Sequence, residues 1–93
     1  MADNPHQEAI ERLIELATQC GFTFVPAGED GSLWGERPGP QWQDVVFLGV
    51  SGHCNAVRSR RGHVAPGEAL FADRVSGPAL TVLRTVVYGW EPT

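Results

Sequence analysis

Lysine is absent from this chain, and all seven of its basic residues are arginine. A formal net charge of −4 excludes a bulk polycation of the kind that coats nucleic acid without selectivity. Cysteine occurs only twice, at Cys20 and Cys54. That is too sparse for the disulfide framework of a small secreted domain, so reduced, mostly buried thiols are expected. No apolar run approaches the roughly 18 residues of a membrane span, so no membrane partner is expected. The opening MADNPHQE lacks the charged-then-apolar plan of a signal peptide. Together these features point to a cytoplasmic setting.

Catalytic and cofactor signatures are also missing. The sequence has no CxxC, no HxxxH, no Gly-x-Gly-x-x-Gly and no Gly-x-Ser-x-Gly. His53, Cys54, His63, Cys20 and His6 are the residues a metal would need. Adjacent His53 and Cys54 diverge on a strand, which argues against joint ligation. The same divergence keeps His53 from activating Cys54 as a nucleophile. No metal, no cofactor and no enzymatic activity are expected.

The 93 residues leave room for one domain, and a hydrophobic fraction of 42% is that of a globular chain. Asn4-Pro5 reads as a helix start, with a side-chain cap followed by proline where no N–H is needed. Gln7 completes a capping-box spacing. Ile10, Leu13, Ile14 and Ala17 recur at helical spacing, and Gly21 stands where a helix ends left-handed. The first element is therefore a helix over residues 5–20.

An antiparallel sheet of about four strands should follow. Phe22, Phe24 and Val25 make a short strand, GEDGS a turn, and Leu33 to Glu36 a return strand. Arg37-Pro38-Gly39-Pro40 reads as irregular. Asp44 to Val50 contains VVFLGV, apolar on both alternating faces, which predicts a central, covered strand. Ser51-Gly52 turns the chain. Cys54 to Arg60 then alternates, with Asn55, Val57 and Ser59 on one face and Cys54, Ala56, Arg58 and Arg60 on the other.

The last third carries two signals. Pro66 to Val75 has good helix formers after a proline, and Ser76-Gly77-Pro78 breaks it. Residues 78–88 fit helical spacing through Leu80, Leu83 and Val87, although many are strand-preferring types. The Ser-Gly-Pro entry favours helix. Residues 71–89, FADRVSGPALTVLRTVVYG, resemble the helix-turn-helix of phage-repressor-type DNA-binding domains. The resemblance puts Ala72 and Arg74 on a first helix and Thr81, Val82 and Arg84 on a second. The Ser-Gly-Pro turn and the apolar second helix depart from that family's pattern.

The fold these elements predict is two-layer α+β, an N-terminal amphipathic helix on an antiparallel sheet with a C-terminal helix. Its expected core is Ile10, Leu13, Ile14, Ala17, Phe24, Val45, Phe47, Leu48, Leu80, Leu83 and Val86.

Two surfaces are candidates for function. Trp34, Arg37 and Trp42 flank the Pro-Gly loop, and tryptophan and arginine dominate interface hot spots. Arg58, Arg60 and Arg61 form the densest basic cluster, able to grip phosphates or an acidic protein. Charge is polarised: residues 1–57 hold eight acids and two arginines, and residues 58–93 hold five arginines and three acids. The expected function is a non-enzymatic protein-binding module, an inhibitor, immunity or regulatory protein acting by surface occupancy. The alternative is a small nucleic-acid-binding regulator using the Arg58–Arg61 cluster and the helix-turn-helix-like C-terminal segment. An open sheet also leaves edges for a homodimer.

Overall fold

The computed structural model describes residues 5–60 and 71–91. Helix α1 spans Pro5–Gln19 and buries Ile10, Leu13 and Ala17. It ends as its glycine predicts. Gly21 takes φ +108°, its N–H donates to the Thr18 carbonyl, and the Phe22 N–H donates to the Ala17 carbonyl. This pair of bonds satisfies carbonyls that a helix end otherwise leaves open. Phe22 is thereby delivered, buried, into the core.

Five strands follow in a simple meander: β1 Thr23–Pro26, β2 Leu33–Pro38, β3 Trp42–Leu48, β4 His53–Arg60 and β5 Phe71–Pro78. Neighbours in sequence are neighbours in the sheet, and every pair is antiparallel. In the β1–β2 turn the Asp30 carboxylate accepts from the Ser32 backbone N–H and hydroxyl. Helix α2, Ala79–Gly89, leaves β5 directly, and the Ala79 N–H donates to the Gly52 carbonyl at 2.9 Å. α2 lies against β4 and β5, and α1 packs on α2.

The α+β class and the terminal helices match the sequence reading, with several corrections. The sheet has five strands among the described residues rather than about four. β2 runs on through Arg37 and Pro38, where the sequence predicts irregular chain. Beyond Glu36, β1 no longer pairs with β2, so the N–H that proline lacks has no partner to miss on that side. The helix expected over Pro66–Val75 is not formed in its described part. Residues 71–78 are strand β5, and residues 66–70 lie outside the described residues. Pairing along β4 and the burial of Val75 against the core override local helix propensity there. The segment that resembles a helix-turn-helix is therefore a strand followed by a helix. Residues 79–89 are helical as their spacing predicts, because Ala79, Val82, Leu83 and Val86 form one stripe that is at most 1% exposed.

The largest correction concerns β3. Both helices cover the same side of the sheet. The core joins Ile10, Leu13 and Ala17 of α1 and the α2 stripe to Val46 and Leu48 of β3 and Cys54 and Ala56 of β4. Val45 and Phe47 have the opposite parity and do not pack against this core. The double apolar alternation marks a central strand, and the two helices among the described residues cover only one of its faces. Of the other expected core residues, Ile14, Phe24 and Leu80 pack at its border.

Candidate functional site: two faces of one sheet

Strand parity distributes the residues singled out in the sequence over two surfaces. Arg37, Asp44, Arg58 and Asp73 are register partners across β2, β3, β4 and β5 on the helix-covered side. They form a row of alternating charge. Arg37 donates from Nε at 3.0 Å and Nη2 at 2.7 Å to Asp44 Oδ2. Arg58 donates from Nε at 2.6 Å to Asp44 Oδ1 and from Nη2 at 2.8 Å to Oδ2. One carboxylate is thus clamped between two guanidinium forks, with side-chain exposures of 7% for Arg37, 4% for Asp44 and 13% for Arg58.

The remaining donors reach helix ends. Arg37 donates to the Cys20 carbonyl after α1 and to the Trp90 carbonyl after α2, and Arg58 donates to the Glu91 carbonyl. Cations suit these positions, where helix carbonyls leave partial negative charge. The guanidinium of Arg37 also lies 4.7 Å from the Phe22 ring centroid, and that of Arg58 lies 5.5 Å from that of Trp90. Burial raises the Asp44 carboxyl, but the hydrogen bonds from Arg58 and Arg37 outweigh it and hold the group below its ordinary value. Asp44 in turn raises Arg58 further. The cluster locks both helix ends to the sheet and keeps all three charges in place.

Trp42 and Arg60 continue this side, the guanidinium 4.7 Å from the ring centroid. The planar forks that an all-arginine chain supplies are here engaged internally. Arg61 and His63 lie outside the described residues. At the opposite end of the covered side, a cleft of about 340 Å³ is lined by Ile10, Ile14, Leu33 and Leu48, together with Gln7 and Glu11.

Trp34 belongs to the other face. It stands three positions before Arg37, an odd spacing, so the two side chains leave β2 in opposite directions. The structure does not bring Trp34, Arg37 and Trp42 into one surface. Trp34 instead heads a row of register partners, Val25, Trp34, Phe47, Asn55 and Ser76. The next row is Thr23, Glu36, Val45, Val57 and Arg74. Neither helix covers these rows. Trp34 remains 39% and Val25 46% exposed, while Val45, Phe47 and Val57 are half-buried by their neighbours. Trp34 Nε1 donates to Glu36 Oε1 at 3.0 Å, which ties the indole to the next side chain on the same face of β2. The two rows set these apolar side chains between an acidic flank at Glu36 and a basic flank at Arg74. Val25, Val45, Phe47 and Val57 are not among the residues that sequence reasoning selects for a site. Their signal is present in the double alternation of VVFLGV, which reads equally as core.

His53 is exposed and Cys54 fully buried, on opposite sides of β4. Both cysteines are free, and burial pushes the Cys54 thiol up to about 11. Among the described residues, no three His, Cys, Asp or Glu side chains gather as a metal site would require. No helix among them is long and apolar enough to cross a membrane. The chain matches no known family, no curated protein and no solved structure.

Proposed function

We propose that this chain is a non-enzymatic protein-binding module that acts by occupying a partner through the open face of its sheet. The observation that carries the proposal is the apolar patch of Val25, Trp34, Val45, Phe47 and Val57, which the helices leave uncovered. Such a face buries apolar area on docking without rearranging the core. The indole of Trp34, already oriented by Glu36, supplies an anchor with little entropy left to lose. In this reading binding is itself the output, as in an inhibitor, immunity or regulatory protein. A cytoplasmic setting belongs to the same proposal and draws support from the two free cysteines. A nucleic-acid reading rests on the Arg58–Arg61 cluster. Arg58 is clamped on Asp44 and Arg60 lies over Trp42, so the described part of that cluster favours it less.

Capture from lysate on immobilised full-length chain tests the proposal, comparing wild type with Trp34→Glu and with Tyr88→Glu. Tyr88 is 72% exposed on α2, away from the sheet face, and serves as the control. A stoichiometric protein retained by wild type and Tyr88→Glu but lost from Trp34→Glu is the expected result. Loss with Tyr88→Glu alone would move the site to α2 and overturn the assignment.

A further inference from the structure

We infer that a second copy of this chain fits the open face, packing sheet against sheet about a two-fold axis. The inference rests on the proposed docking face and names its occupant. Two patterns on that face are self-complementary, one in size and one in charge. In the first row the bulky residues Val25, Trp34 and Phe47 occupy β1 to β3, and the small or polar Asn55 and Ser76 occupy β4 and β5. In the second row Glu36 stands on β2 and Arg74 on β5, with Val45 and Val57 between them.

Consider a two-fold axis parallel to the strands, midway between β3 and β4. It reverses strand order across the interface and preserves the rows. β2 of one copy then faces β5 of the other, and β3 faces β4. Trp34 meets the partner copy's Ser76 position, and Phe47 meets its Asn55 position, so large side chains face small ones. Val45 meets Val57. Glu36 meets Arg74, twice by symmetry. The alternative two-fold, across the strands, would stack β2 on β2 and β5 on β5. It would leave Glu36 and Arg74 far from any opposite charge on the partner copy. Both complementarities therefore select the same axis, the isologous arrangement expected of a symmetric dimer. Aligned sheets stacked about 10 Å apart are an ordinary packing of two such faces.

The area sets the expected strength. Four overlapping strands about 4.8 Å apart and roughly six residues long present on the order of 400 Å² per copy in projection. Side-chain relief raises the accessible area above that, to the low end of specific interfaces. The pair should be reversible and concentration-dependent.

Sedimentation equilibrium of the full chain, from about 1 µM to about 0.5 mM, tests this at the strength such an area allows. Wild type, Glu36→Arg, Arg74→Glu and an equimolar mixture of the two variants are compared. Both positions are exposed, and thermal melts confirm that the variants fold. Wild type is expected to dimerise, and each single variant should weaken self-association at least about tenfold by placing like charges opposite one another. In the mixture the introduced arginine of one variant faces the introduced glutamate of the other. The native Glu36 and Arg74 meet at the second, symmetry-related contact, so heterodimers should form more strongly than either variant alone, short of wild type by the Trp34–Glu36 hydrogen bond that one copy has lost. A wild type that stays monomeric throughout overturns the second copy as occupant. So does a dimer that neither variant weakens, and so does a mixture that stays as weak as its components. These outcomes are separable from failure of the docking face itself. Trp34→Glu abolishing capture of a different protein while wild type remains monomeric removes only the second copy. Trp34→Glu changing neither capture nor self-association removes both.

Discussion

The two faces of this sheet are made from the same strands and are one residue out of phase. On one, Val46, Cys54 and Ala56 are sealed beneath two helices, and the Arg37–Asp44–Arg58 cluster bolts the helix ends down. On the other, Val45, Phe47, Val57 and Trp34 are as apolar as their neighbours but meet no helix. Along β3 apolar residues alternate onto both faces, and the helices cover only one of them. The difference teaches that an apolar strand face is no evidence of a core until something is found to cover it. With only two helices among the described residues, both on one side, the second apolar face is left uncovered by either, and it is there that the proposed partner would dock.

The comparison breaks most sharply at Asp44. Asp44→Ala leaves two guanidiniums buried without their carboxylate and should cost about 3–5 kcal/mol in urea unfolding. The charge also gives the covered face a pH dependence. The folded Asp44 carboxyl lies below its ordinary value of 3.8, so its stabilisation is complete above the unfolded value and is lost as pH falls through the lowered folded one. Asp44→Asn should flatten that acid limb. An unchanged limb would assign it to other carboxylates.

Gly35 gives the next largest effect. A Cβ there would stand 2.5 Å from the Phe24 ring, which lies across the glycine from β1. Gly35→Ala must displace that ring from the border of the core and should cost about 1–3 kcal/mol. On the open face the smallest change is expected. Val45→Thr alters β3 where no helix packs, and its urea midpoint at low micromolar concentration should shift by no more than about 0.5 kcal/mol. A loss as large as that for Gly35→Ala would mean the open face belongs to the folding core.

Much of this architecture is legible in sequence. Pro5, the Ile10–Ala17 stripe and Gly21 mark α1, and the turns at GEDGS and Ser51-Gly52 mark hairpins, because caps and turns are local. The strand character of residues 71–78 is not, since Asp73 and Arg74 take that form from pairing with β4 rather than from their own preferences. The ion cluster lies within reach. A tight turn at Pro40-Gln41 sets Arg37 opposite Asp44, and the turn at Ser51-Gly52 sets Asp44 opposite Arg58. Ending β2 at Glu36, on the strength of Pro38, hides the pair. The site is half legible: Trp34 stands out, but in company with Arg37 and Trp42, whose parity puts them on the other side. Which of two apolar faces a helix covers depends on tertiary packing, and no residue of β3 records it.

The most direct test compares neighbours on one strand. Val46→Ser and Phe47→Ser, unfolded in urea at submicromolar concentration to keep the chain monomeric, probe opposite faces one residue apart. The account predicts that Val46→Ser, at a position with 0% exposure, loses about 2–4 kcal/mol, from a cavity and a buried hydroxyl. It predicts that Phe47→Ser loses less than about 1 kcal/mol despite removing the larger side chain. Equal losses, or a larger loss at Phe47, would show that both faces are core and contradict the assignment of one of them to a partner.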